Sequence, residues 1–160
     1  MQDNLSLIAQ SAVTTRYVVM PHQANPNGTA FGGAILSWID VVASMAAQRY
    51  CRRAVATAQI DSVSFLTPIE IGDHVILKAS VNYTGNTSLE VGVIVFREDP
   101  LTGQRQKATK AYLTFVAFDE NSRPTQVEKI APQTPDEMRR FEQAKKRVAL
   151  RKQNRVERRL

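Results

Sequence analysis

The sequence predicts an α+β fold: an antiparallel sheet curled around one long buried helix, with a second helix on the surface. Three observations carry this. From Ala34 to Ala47 the chain is apolar almost all round, through Ile35, Leu36, Trp38, Ile39, Val41, Val42, Ala43, Met45 and Ala46. A helix without a clear polar face belongs inside a protein. Between Ala54 and Phe118, runs rich in β-branched residues alternate with short turn signals, as in a meander. After Thr134 a separate, strongly basic helical segment begins.

Taken in order, residues 1–12 read as a loose leader or short helix. Thr14 to Met20 (TTRYVVM) is a strand that Pro21 ends. Asn25-Pro26-Asn27-Gly28 is a turn, and Gly32-Gly33 opens the apolar helix, which closes between Tyr50 and Arg53 on basic residues suited to its C-terminus. The next strand runs from Ala54 to Leu66, with Val55, Thr57, Gln59, Asp61, Val63 and Phe65 on one side. His74 to Tyr83 follows, with Val75, Leu77, Ala79, Val81 and Tyr83 inward. Thr84-Gly85-Asn86-Thr87 is a hairpin connection. Ser88 to Arg97 buries Leu89, Val91, Val93 and Val95, and Arg105 to Phe118 is the last strand. Thr134-Pro135-Asp136-Glu137 combines a capping residue, a proline at the first helical position and an acid three beyond the cap. The helix it opens is expected to reach about Arg151, with a thin apolar stripe of Met138, Phe141 and Val148.

With 160 residues the chain makes one domain with a real core, placed at 1–133, followed by a basic helical tail at 134–160. The net charge of +6 is uneven. Residues 1–133 hold 11 Lys/Arg and 11 Asp/Glu, whereas 134–160 hold 10 and 4, so the tail carries the whole excess. Such a tail either draws an anionic ligand, through residues such as Arg139, Lys145 or Arg147, or is a solvated helix covering an oligomer seam. No apolar run is long enough to span a membrane. The N-terminal residues lack the pattern of a signal peptide, and the single Cys51 excludes an internal disulfide, so a cytoplasmic location is expected. Two histidines and one cysteine make a zinc site improbable.

The chemistry is concentrated around the apolar helix. Its few polar residues, Ser37, Asp40, Ser44 and Gln48, recur every three or four positions and form one stripe. A buried carboxylate is costly, so Asp40 has either a structural hydrogen bond or a catalytic purpose. The Gly-Gly start favours the second, because free N–H groups at a helix start suit oxyanions.

A strand, an Asn-containing turn, Gly-Gly opening a long helix with an acid in its third turn, and then antiparallel strands: this layout resembles the hotdog-fold acyl-CoA thioesterases. More narrowly it is similar to the family shared by broad-range bacterial acyl-CoA thioesterases and brain-type cytosolic acyl-CoA hydrolases. The resemblance covers nearly the whole chain, through Pro21 to Gly33, Trp38-Ile39-Asp40, Asp61 to Phe65, Thr84 to Ser88, Pro135-Asp136-Glu137 and Arg140-Phe141-Glu142. It implies a hotdog fold and hydrolysis of fatty acyl-CoA to fatty acid and coenzyme A. It places the catalytic acid on Asp40 and a catalytic asparagine on Asn25, the latter reaching Asp40 of a second chain. Gly33, with Gly32, would hold the oxyanion. The Thr84–Ser88 hairpin (Gly85, Asn86, Thr87, Ser88) would contact the coenzyme A nucleotide, and Arg105 and Lys107 would meet its phosphates. The implied assembly is a homohexamer built from dimers, with acyl-CoA as substrate, no metal and no cofactor.

Thioester hydrolysis fits this set, since the departing thiol has a pKa of about 8.5 and needs no strong acid. A single carboxylate can act as general base toward water or as nucleophile. Rival readings are weaker. Cys51 has no histidine near it in sequence, and His22 sits in a loop beside a proline. A hotdog dehydratase would need a histidine motif that is not visible. A non-catalytic acyl-CoA-binding module, with the basic tail on nucleic acid or another partner, is the alternative; the presence of both Asn25 and Asp40 speaks against it, and neither a membrane nor a nucleic acid is the expected partner.

Overall fold

The sheet has five antiparallel strands in the order β1-β3-β4-β5-β2, closed around one face of a 20-residue helix. The computed structural model describes residues 5–158. In chain order these are α1 (Leu7–Ser11), β1 (Val13–Val18), a 3-10 turn (Pro21–Gln23), α2 (Gly32–Cys51), β2 (Ala54–Ile60), β3 (His74–Thr84), β4 (Ser88–Glu98), β5 (Arg105–Phe118) and α3 (Pro135–Glu157). The first four residues of the expected leader lie outside the described residues; α1 accounts for much of the rest.

Strand alternation builds the core. Val75, Leu77, Ala79 and Val81 of β3, Leu89, Val91, Val93 and Val95 of β4, and Ala111, Leu113 and Phe115 of β5 point to α2 and are buried. From α2 they meet Ile35, Trp38, Ile39, Val42, Ala43 and Ala46. Trp38 also stacks on Tyr17 of β1, with ring centroids 5.6 Å apart. A fully buried isoleucine such as Ile39 contributes about 2–5 kcal/mol over alanine, so this seam dominates the stability of the fold.

The helix is not enclosed all round, as its composition suggested. Gly33, Ser37, Val41 and Gln48 are exposed and Leu36, Asp40 and Ser44 are half-buried, so one strip of α2 faces away from the sheet. Apolar composition signals burial but not what does the burying. Within this chain the sheet covers one face, and the strip holding Asp40 stays open.

Two strands also depart from simple alternation. Pairing of β2 with β5 shifts register between Thr57 and Gln59, and regular strand ends at Ile60 rather than Leu66. A second shift, between Val81 and Tyr83, turns Tyr83 outward instead of inward. There it stacks on Phe141 of α3, with centroids 5.8 Å apart.

The second helix starts where its capping signal places it. The Thr134 side chain accepts from Glu137 N–H, and Glu137 reaches back to the Thr134 N–H. It continues past Arg151 to Glu157. The extra length follows from anchoring at that point: Arg151 binds Asp61 at 2.8 Å and also pairs with Glu90. Arg147 binds the same Glu90 at 2.7 Å and lies 3.6 Å over the Tyr112 ring. Glu90, with 1% of its side chain exposed, is therefore clamped between two arginines on the outer face of the sheet.

Candidate active site

Asp40 lies in the third turn of α2, on the open strip. Its Oδ1 accepts from Thr57 Oγ1 at 2.7 Å. Thr57 of β2 stands opposite the inward-facing Phe115 of β5, just before the register shift of the strand, so its side chain points toward the helix. The bond holds one carboxylate oxygen and leaves the other available to a water or a carbonyl carbon. The stripe neighbours do not supply this partner: Ser44 Oγ donates back to its own helix, to Val41 O at 2.7 Å. Sequence reading missed Thr57, because only the fold brings it to Asp40.

The start of α2 has no side-chain cap. Ala34 N–H and Ile35 N–H both donate to Phe31 O, while those of Gly32 and Gly33 find no acceptor among the described residues. Both glycines lie under aromatic rings. A Cβ on Gly32 would sit 3.3 Å from Phe65, and one on Gly33 3.1 Å from Phe31. A side chain at either place would crowd the rings that flank the two free donors.

Asn25 is held rigidly in the turn before the helix. Its Oδ1 accepts from Asn27 N–H at 3.0 Å and Thr29 N–H at 3.2 Å, and Nδ2 lies 2.9 Å from Thr29 Oγ1. One Nδ2 hydrogen stays available on a cavity of about 290 Å³ lined by Gly32, Ile35, Phe65 and Pro68. Asp40 is eight residues beyond Gly32, roughly 12 Å further along the helix. No hydrogen bond joins Asn25 to Asp40 within the chain among the described residues.

The hairpin closes through Gly85 N–H to Ser88 O at 2.8 Å, and Lys129 Nζ braces it on Gly85 O and Asn86 Oδ1. It faces a groove of about 350 Å³ with Lys152 and Arg155 of α3. Arg105 and Lys107 do not share this edge. Ser88 pairs with Val116 and Glu98 with Arg105, which puts the hairpin and Arg105 at opposite ends of the β4–β5 ladder. Ten residues of strand separate them, roughly 33 Å. Arg105 instead donates to Glu98 at 2.5 Å and, with His74 on the other side, holds that carboxyl below its usual range. The tail cations expected to attract a ligand are also engaged. Arg139 pairs with Asp136, Lys145 with Glu142 at 3.4 Å, and Arg147 with Glu90.

Cys51 is not arranged as a nucleophile, since burial pushes its thiol up despite backbone hydrogen bonding and the Arg53 guanidinium nearby. Among the described residues no group of three His, Cys, Asp or Glu side chains is placed to hold a metal ion. None of the helices among the described residues is long and apolar enough to cross a membrane.

Residues 27–104 match the thioesterase superfamily. An uncharacterized acyl-CoA thioester hydrolase of Bacillus subtilis is 43% identical over 129 residues, covering 81% of this chain and 75% of that protein. The chain belongs to the hotdog-fold acyl-CoA thioesterases. Within this thioesterase family, a hexameric acyl-CoA thioesterase solved without ligand superposes with a TM-score of 0.88 at 39% identity, over 92% of this chain and 94% of that one. An acyl-CoA hydrolase of Staphylococcus aureus, solved with butyryl coenzyme A and coenzyme A, also gives 0.88, at 35% identity over 94% and 92% of the two chains. That hydrolase has further been solved with alanine replacing an asparagine, an aspartate and a threonine in turn. Those three positions are spaced by 15 and 17 residues, as Asn25, Asp40 and Thr57 are in this thioesterase chain.

Proposed function

We propose that this protein hydrolyses acyl-CoA thioesters at a site built from Asp40 and Thr57 of one chain and Asn25 of a second. The observation that carries the reading is the Thr57–Asp40 hydrogen bond on the one open strip of α2. Shared spacing with the three replaced residues of the Staphylococcus aureus hydrolase supports it.

The chemistry follows from the geometry. Asp40 takes a proton from water, and the hydroxide oxygen bonds to the thioester carbon. The carbonyl oxygen becomes an oxyanion held by the Gly33 N–H, with Gly32 beside it. The tetrahedral centre then collapses, breaking the C–S bond, and the proton on Asp40 returns to the departing thiolate. Direct attack by Asp40 on the carbon, through a mixed anhydride that water cleaves, uses the same groups. Neither route calls for a metal or a cofactor.

A second chain completes the site. Val41 is 49% exposed and Phe65 48%, with Phe31, Met20 and Leu66 also open to solvent around the strip. Apolar exposure of this extent on one side of a domain fits a contact between chains. β2 beside it is an edge strand with a row of backbone groups open for pairing. A dimer formed there brings the Asn25 amide of one chain to the Asp40 of the other, and dimers then assemble to a hexamer. The hairpin Gly85–Ser88 takes the nucleotide end of the substrate.

Thiol release from acetyl-, octanoyl- and palmitoyl-CoA by purified protein tests the reading. Turnover of at least one is expected. Binding of all three without thiol release would leave a binding module instead.

A further inference from the structure

The start of α2 holds two features that its backbone does not explain. Gly32 and Gly33 are not among the glycines with positive φ, which are Gly28, Gly72 and Gly103. Within a helix glycine is less favourable than alanine, so the backbone gives no reason for the pair. Beside them stand two large aromatic side chains open to solvent, Phe31 at 43% and Phe65 at 48%.

Each feature accounts for the other. A Cβ on Gly32 would lie 3.3 Å from the Phe65 ring, and one on Gly33 3.1 Å from the Phe31 ring, both tighter than ordinary contact. The missing Cβ atoms let the ring edges come down onto the first turn. A Cβ lies about 2.5 Å from its own nitrogen, so the ring edges stand within roughly 6 Å of the Gly32 and Gly33 nitrogens. These are the N–H groups that find no acceptor among the described residues.

The backbone holds both rings in place. Phe31 N–H donates to Gln23 O at 3.0 Å, and Phe31 O accepts from Ala34 N–H at 3.0 Å and Ile35 N–H at 3.3 Å. On either side of Phe65, Ser64 O accepts from Thr109 Oγ1 at 2.7 Å and Leu66 N–H donates to Ala108 O at 2.9 Å. The rings thus form two apolar walls beside the donors. In one chain Gly33 is still exposed and Gly32 half-buried, and a thioester laid on the donors closes the remaining side.

We propose that Phe31 and Phe65 are positioning residues for thioester hydrolysis, which keep water from the Gly33 and Gly32 N–H groups once substrate is bound. The proposal rests on the thioesterase reading and adds to it. An N–H that water still reaches shares its hydrogen bond, and water screens the charge building on the carbonyl oxygen. Between two rings the same donor meets the oxyanion alone, in surroundings of low dielectric where the bond is stronger. The gain grows with the developing charge, so it acts on kcat more than on KM.

Steady-state kinetics on the acyl-CoA that wild type turns over fastest tests this. Phe31→Ala and Phe65→Ala should each lose about tenfold in kcat with KM within about twofold of wild type, and Phe31→Tyr and Phe65→Tyr should stay within about threefold. Gly33→Ala supplies a second arm. It keeps the N–H, but its methyl displaces the Phe31 ring, so kcat should fall about tenfold in wild type and less than about twofold further in Phe31→Ala. Losses that multiply would mean that the methyl meets the substrate instead of the ring, and would overturn the proposal. So would a loss confined to KM, or a kcat within about twofold of wild type in both alanine proteins. Thermal melting and oligomeric size check each variant; where an alanine protein fails either check, Gly33→Ala decides alone, and a kcat equal to wild type overturns the proposal. No turnover of any acyl-CoA by wild type would remove the thioesterase reading and this proposal together, whereas unchanged kcat in the variants removes this proposal only.

Discussion

The Thr57 hydroxyl donates to Asp40 Oδ1 across 2.7 Å, joining the irregular edge strand β2 to the third turn of α2. A carboxylate on an open helix face would otherwise sample several rotamers. This bond selects one and leaves the second oxygen without a hydrogen-bond partner among the described residues.

Thr57→Val keeps the shape of the side chain and removes the donor. A hydrogen bond to a charged group contributes about 1.5–3 kcal/mol. The expected result is a fall in kcat of roughly 10- to 100-fold with the melting temperature within about 2 °C of wild type. Thr57→Ser, which retains the hydroxyl, should recover most of the rate. Steady-state kinetics on one acyl-CoA decides it, and equal rates for the valine and threonine proteins would remove Thr57 from the site.

Much of this arrangement was legible in the sequence because its signals are local. Gly32-Gly33 before an apolar run marked the start of α2, and Thr134-Pro135-Asp136-Glu137 marked that of α3, each to the residue. What escaped depends on distant pairing. Thr57 looked like one more β-branched strand residue, and only the packing of β2 beside α2 brings it to Asp40. The register shift between Val81 and Tyr83 put Tyr83 on the opposite face from the one alternation assigns. The open strip of α2 was hidden for another reason: apolar residues there look the same whether the covering surface belongs to the same chain or to another. The partners of the charged tail were hidden as well, since Arg147 and Arg151 face Glu90 and Asp61, both far away in sequence.

If the site is shared between chains, two inactive proteins can restore each other. Asn25→Ala and Asp40→Ala subunits, mixed under conditions where subunits exchange, should regain activity. In each mixed dimer one site holds both native residues and the other neither. Exchange shown by mass spectrometry with no return of activity would place both residues in one chain's own site.

The Glu90 clamp makes the C-terminal helix a structural part of the domain. Glu90→Gln leaves Arg147 half-buried with a neutral partner and Arg151 with Asp61 as its one remaining carboxylate. A loss of about 2–4 kcal/mol in urea unfolding is expected, with binding of acyl-CoA to the surviving fold unchanged. Removing residues 143–160 should do at least as much damage. Full stability in either protein would show that the clamp is incidental.

Glu137 ties both ends of the described chain together. Ser6 Oγ donates to Glu137 Oε1 at 2.5 Å while Oε2 accepts from Gln133 N–H at 2.7 Å. Burial alone would raise its pKa, but Ser6 and the Gln133 and Thr134 N–H groups outweigh that and hold it below the ordinary 4.5. A carboxyl with a lowered folded pKa stabilises the protein fully above the unfolded value and loses that contribution as pH falls through the folded one. Wild type should therefore lose stability below about pH 4.5 more steeply than Glu137→Gln, which should be weaker by about 1–2 kcal/mol at pH 7. Parallel stability curves for the two proteins between pH 3 and 7 would contradict this.

The most direct measurement is acyl-CoA turnover by Asp40→Asn. The amide keeps the size of the side chain and can still meet the Thr57 hydroxyl, but it neither accepts a proton from water nor attacks the thioester. A loss of at least about 10³-fold in kcat is expected, with coenzyme A affinity and melting temperature close to wild type. Turnover within tenfold of wild type would show that the hydrolytic group is not Asp40.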